Sequence, residues 1–94
     1  MTEQDIQRNI IKWLESESYY VVKVVSASKS GVPDILCCIE GKFVAIEVKT
    51  PQAKTNVSKL QHYNLNKIDE CGGYSMVAWS VDMVKEFIEC EVLV

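Results

Sequence analysis

No stretch of this chain approaches the run of about 18 apolar residues that a membrane-spanning helix requires. The opening Met1-Thr2-Glu3-Gln4 also lacks the basic-then-apolar pattern of a secretory leader. A soluble intracellular protein is therefore expected. The four cysteines, Cys37, Cys38, Cys71 and Cys90, form no C-x-x-C, and the single histidine, His62, has no ligand-like neighbour. That excludes the usual zinc sites, and buried, reduced thiols are expected instead. Internal repeats, low-complexity segments and linkers are also missing, so residues 1–94 are read as one domain. At 48% hydrophobic residues the chain supports one core. A chain this small buries only a modest share of its surface on folding, and a dimer would help stability.

Positive charge is scarce overall, with a net of −3, but it is not evenly spread. Lys23 to Lys67 holds seven basic residues against Asp34, Glu40 and Glu47, while the remainder holds three basic and ten acidic residues. A basic middle on an acidic body fits a local phosphate-facing surface, and ordinary surface lysines account for the same counts.

What is present reads as alternating elements. Thr2 to about Glu17 has helical spacing, with Ile6, Ile10, Trp13 and Leu14 as a buried stripe and Thr2 with Asp5 as a capping box. Tyr19 to Val25 is strand-like by propensity, and Ser26 to Gly31 is a small polar loop. Ile35–Ile39 and Phe43–Lys49 read as a hairpin about Glu40-Gly41-Lys42. After Pro51 ends that strand, a helix from about Ser58 to Cys71 follows, with Leu60, Leu65 and Ile68 as its apolar stripe and Ser58-x-x-Gln61 as a capping box. Tyr74 to Trp79 is a further strand. Ser80 caps a last helix, Val81 to about Cys90, with Val84, Phe87 and Ile88 buried and an apolar tail behind it. The helix between the third and fourth strands acts as a crossover, making the last strand parallel to its neighbour in a mixed α/β sheet flanked by helices.

The chemistry gathers at Pro33-Asp34 and Glu47-Val48-Lys49. Period-two alternation puts Glu47 and Lys49 on one strand face. With a two-residue turn, Asp34 falls opposite Glu47 on that face; a three-residue turn would put them on opposite faces. Two facing carboxylates repel and raise each other's pKa, so the pair makes sense around a hard divalent cation. A lysine beside them can orient a water or counter charge on phosphate. Together these residues read as metal-assisted phosphodiester hydrolysis. The same stretches also have plain structural uses, since Pro-Asp starts strands and Glu-x-Lys decorates solvated faces.

The string GVPDILCCIEGKFVAIEVKTP, followed by Ser58-Lys59-Leu60-Gln61, resembles the VRR-Nuc (virus-type replication-repair nuclease) family of the PD-(D/E)xK nuclease superfamily, in particular its stand-alone phage versions. The likeness runs from about Glu3 to Trp79. It implies an α-β-β-β-α-β core plus a C-terminal helix, and an enzyme that hydrolyses DNA phosphodiester bonds with Mg2+ or Mn2+. It implies a homodimer that resolves four-way (Holliday) junctions, in the host cytoplasm for a phage-encoded protein. By the same resemblance Asp34, Glu47, the carbonyl of Val48 and Glu3 bind the metal, and Lys49 and Gln61 act on water or phosphate. Glu3 equally suits the helix dipole, and Gln61 equally suits a cap. Lys29, Lys54 and Lys59 are the candidate DNA contacts. Other readings are a general, flap or end nuclease with the same site, and a non-catalytic nucleic-acid-binding module.

Overall fold

Capping decides where the first helix begins. In the computed structural model, which describes residues 1–94, the Thr2 hydroxyl accepts from the Asp5 N–H at 3.2 Å and the Asp5 carboxylate accepts from the Thr2 N–H at 3.0 Å. Helix α1 then runs Glu3–Ser16 and buries Ile6, Gln7, Ile10 and Leu14, while Trp13 sits half-buried at the margin. Its C-terminus closes when Tyr19 N–H donates to Leu14 O, which keeps Tyr19 out of the next strand. Strand β1 is accordingly Tyr20–Lys23, shorter than propensity predicts.

Strands β2 (Ile35–Ile39) and β3 (Lys42–Val48) pair antiparallel with Ile39 opposite Lys42, so the turn has two residues. Glu40 (φ 49°) and Gly41 (φ 82°) both take the left-handed conformation of a type I′ hairpin turn, whose twist matches that of the strands it joins. A short 3-10 turn at Pro51–Ala53 leads to α2 (Lys59–Glu70), capped reciprocally by Ser58 and Gln61. Strand β4 (Tyr74–Ala78) returns parallel to β3, giving the sheet order β1-β2-β3-β4. Helix α3 (Val81–Phe87), capped by Ser80, is shorter than expected because the chain widens into a π-helical turn over Ile88–Val92. That turn aims Val92 inward, fully buried, and the Lys42 ammonium donates to its carbonyl, so the tail docks on the body of the molecule.

Parity along the strands assigns the two sheet faces. Ile35, Cys37, Ile39, Val44, Ile46 and Val48 share one face and form the core with α1 and with Val84, Ile88 and Val92. Helix α2 covers the other face over β3 and β4 only, where Ser75 Oγ donates to Leu65 O at 3.1 Å and Ile68 lies against Gly73. Over β1, β2 and the start of β3 at Phe43 that second face stays bare. Tyr20 is 72% exposed, Val22 40% and Phe43 48%.

Two sequence expectations fail locally. Leu60 is half-exposed, because the first turn of α2 overhangs the loop at Gly31 instead of the sheet, and Asn64 takes the inward position. Only Cys37 is buried; Cys38 faces the bare sheet half, Cys71 caps the end of α2, and Cys90 lies on the outer side of the π turn. Burial pushes the Cys37 thiol up to about 12, so it behaves as a small apolar group. No helix is long and apolar enough to cross a membrane.

Candidate active site

The site is built at the end of the sheet where β3 finishes and β2 begins. Loop residue Gly31 has φ 79°, and a Cβ there would lie 2.8 Å from Leu60 Cγ and 3.0 Å from Asn64 Nδ2, so the loop needs glycine to turn tightly under α2. The Asn64 amide holds that loop by donating to Ser30 O at 3.1 Å. Buried Pro33 then stiffens the entry to Asp34. The main-chain carbonyl of Asp34 accepts from Val24 N–H at 2.8 Å, and its carboxylate accepts from Val48 N–H, also at 2.8 Å. The side chain is thereby fixed across the hairpin, level with Glu47, as a two-residue turn requires.

Glu47 is 2% exposed, an expensive place for a carboxylate. Its Oε2 accepts from Gln61 Nε2 at 3.1 Å and lies 3.6 Å from Lys49 Nζ. Gln61 therefore serves two purposes at once: Oε1 accepts from Ser58 N–H to cap α2, and the amide nitrogen reaches the site. Glu3 arrives from the first turn of α1. Asp5 is occupied by Thr2 and Arg8, whose hydrogen bonds lower its pKa, the Thr2 N–H contributing most. Glu3 has no such internal partner in that turn and joins Asp34 and Glu47, with one oxygen from each of the three within 4.8 Å of the others.

The electrostatics follow from that crowding. Burial above all, and then the Asp34 charge, push the Glu47 carboxyl up to about 7, although the Lys49 ammonium pulls the other way. Gln7, one helical turn after Glu3 and on the same face, is buried with its Oε1 unpartnered. Sequence reasoning missed this residue; its only signal is the four-residue spacing from Glu3. Three convergent carboxylates form an all-oxygen acceptor set that one lysine does not balance, and the orphaned Gln7 oxygen lies on the Glu3 face of α1. This set suits a hard divalent cation, while no cysteine and not His62 joins it.

The other predicted residues distribute differently. Val48 contributes its N–H to Asp34, and its side chain belongs to the core. Lys29 and Lys54 are exposed on connections and Lys59 is exposed in the first turn of α2, with Lys54 Nζ 5.4 Å from the Trp79 ring centroid.

Residues 3–93 match the family model described as archaeal Holliday junction resolvase (Hjc). Among solved structures, one described as a VRR_NUC domain superposes with a TM-score of 0.80 at 23% identity, covering 97% of this chain and 99% of that one. Another, described as a VRR_NUC domain protein, gives 0.73 at 18% identity, covering 95% and 89%. No curated protein matches.

Proposed function

The chain belongs to the archaeal Holliday junction resolvase (Hjc) family, and from that premise we propose that it is a metal-dependent DNA endonuclease acting on branched DNA, four-way junctions above all, as a homodimer. A nuclease of the PD-(D/E)xK type is what the family and the α-β-β-β-α-β fold have in common. The observation that carries the proposal for this chain is the meeting of Glu3, Asp34 and Glu47 at one end of the sheet with Lys49 beside them.

Asp34, Glu47 and Glu3 would hold a divalent ion, Mg2+ or Mn2+, with the Val48 carbonyl and Gln7 as further oxygens. The ion, when bound, supplies Lewis acidity toward a phosphate oxygen and lowers the pKa of a bound water. The Lys49 ammonium orients the attacking water or counters the charge that grows on the phosphate. Gln61 and Lys49 both engage one oxygen of Glu47, which would leave the other free to hold the ion. Lys29, Lys54 and Lys59 contact the DNA backbone, which makes binding sensitive to salt. The test is cleavage of a labelled four-way junction beside a flap and a linear duplex of matching sequence. The junction should be cut fastest with Mg2+ and not at all with EDTA. Equal rates on all three substrates would replace junction selectivity with a general nuclease; binding without cutting would leave a nucleic-acid-binding module.

The bare half-face of the sheet supports the homodimer. Tyr20, Val22, Leu36, Cys38 and Phe43 make an uncharged apolar surface on the same face as the carboxylates, with no helix over it. Such surfaces are seldom left in water, and a two-fold contact lets one patch satisfy its copy. Tyr20→Glu should convert a dimer to a monomer in light scattering at micromolar concentration with little loss of stability, since that ring is already 72% exposed. A monomeric wild-type protein at that concentration would remove the dimer.

A further inference from the structure

The largest cavity of the molecule is not at the carboxylates but beside them, an open cleft of about 630 Å³ between α1 and β1. Gln4, Arg8 and Lys12 follow one another at four-residue intervals, so they form a single row along α1. Lys23, at the end of the edge strand, faces that row, and Glu15 is the one acid lining the cleft, at its far end. The cleft begins at the catalytic end of the sheet: Gln4 follows Glu3, and Lys23 pairs with Ile35, the neighbour of Asp34. Gln4 to Ser16 spans about 18 Å of helix, long enough to run past several successive phosphates of one strand. In a chain of net charge −3, two of the three cations outside the Lys23–Lys67 segment lie in this one groove.

We propose that this cleft is a second track for a DNA backbone, in which Arg8, Lys12 and Lys23 neutralise phosphates of a strand leaving the carboxylate site along α1. The inference rests on the nuclease reading above and adds to it. Lys59 opens α2 and Lys29 adjoins Ser30, which α2 holds, so both lie on the α2 side of the sheet, whereas this row lies on the α1 side; a bound DNA would then be held from two sides of one cut. Arg8 keeps donors to spare: its ion pair with Asp5 engages one nitrogen at 3.0 Å and is solvent-exposed. All three cations are exposed, and none supports the core.

The experiment compares wild-type protein, the triple variant R8Q/K12Q/K23Q and the charge-keeping R8K/K12R/K23R. Binding of a labelled four-way junction is followed by fluorescence anisotropy over a salt series with Ca2+ in place of Mg2+, and cleavage kinetics are measured with Mg2+. The glutamine triple should melt as the wild type does and bind at least about tenfold more weakly. Its slope of log K against log salt should shrink by about 2.7, the loss of three phosphate contacts. KM should rise with kcat within about twofold, since no reacting group has changed. The charge-keeping triple should restore affinity and slope, and K85Q, on α3 against Trp13, should leave both unchanged. A glutamine triple that binds and cuts like the wild type, while the wild type is an active nuclease, overturns the track and spares the proposed function. A wild-type protein that neither binds nor cuts DNA overturns both.

Discussion

Asp34→Asn is expected to abolish cleavage, a loss of at least about 1,000-fold, in a protein that melts within a few degrees of the wild type. The magnitude follows from the metal-holding role proposed for the carboxylate. An ion that polarises phosphate and activates water is worth several kcal/mol in the transition state, and each 1.4 kcal/mol is about tenfold in rate. A neutral amide in place of one of three carboxylates weakens that ion's hold. Stability is a separate matter, because the structural task of Asp34 is to accept the Val48 N–H at 2.8 Å. Asparagine keeps an acceptor for it. Asp34→Ala would orphan that N–H at a cost of about 1–3 kcal/mol, and mixes a folding effect with a chemical one. Glu47→Ala and Lys49→Ala should also eliminate cutting, the first with an added cavity, because Glu47 is buried. The decisive measurement is single-turnover cleavage of a labelled junction at saturating Mg2+, with circular dichroism melting on the same samples. Cutting by the asparagine variant within tenfold of wild type would remove Asp34 from the chemistry.

Much of this site is legible in sequence because it depends on short-range rules. Glu40-Gly41 can adopt the two left-handed conformations of a tight hairpin, and that turn alone makes Asp34 and Glu47 partners on one face. Both capping boxes form as the Thr2/Asp5 and Ser58/Gln61 spacing indicates. The parallel return of β4 follows from the intervening helix. What escapes is whatever depends on how elements lie against one another. Helical period places Leu60 on the apolar side of α2, but not the fact that this turn hangs beyond the sheet over Gly31. Spacing puts Gln7 on the face of Glu3, yet only packing reveals that its oxygen is buried without a donor. Summing charge by segment assigns Arg8 and Lys12 to an acidic body, while the fold brings them to Lys23. The cysteines fail for the opposite reason. Their average preference for the interior is a statistic about residue type, and three of these four occupy a cap, a π turn and an uncovered sheet half.

Glu47→Gln should stabilise the metal-free protein, and the gain should depend on pH. The folded-state pKa of Glu47 is about 7 against an ordinary 4.5, a rise caused mainly by burial. Below pH 4.5 the carboxyl is protonated in folded and unfolded chains alike, and Glu47 contributes no penalty. Between 4.5 and about 7 the unfolded chain has lost the proton and the folded chain still holds it. Folding must then take up a proton, and stability falls as pH rises. Above about 7 the full loss applies, on the order of 3 kcal/mol for a shift of this size. A glutamine fits the same space, keeps an oxygen for the Gln61 amide and never ionises. The two proteins in EDTA should therefore melt together near pH 4.5 and separate by about 10 °C or more at pH 8, taking roughly 4–8 °C per kcal/mol for a chain of this length. Millimolar Mg2+ at pH 8 should close most of that gap by raising the wild type alone, because a ligand that binds only the folded state stabilises it. A gap of equal size at both pH values would mean that Glu47 does not carry its charge into the fold. A gap that Mg2+ leaves untouched would separate the buried carboxylate from metal binding. The expected behaviour would tie the fold to the proposed chemistry: a buried carboxylate weakens the metal-free fold, and a cation bound by it would offset that cost.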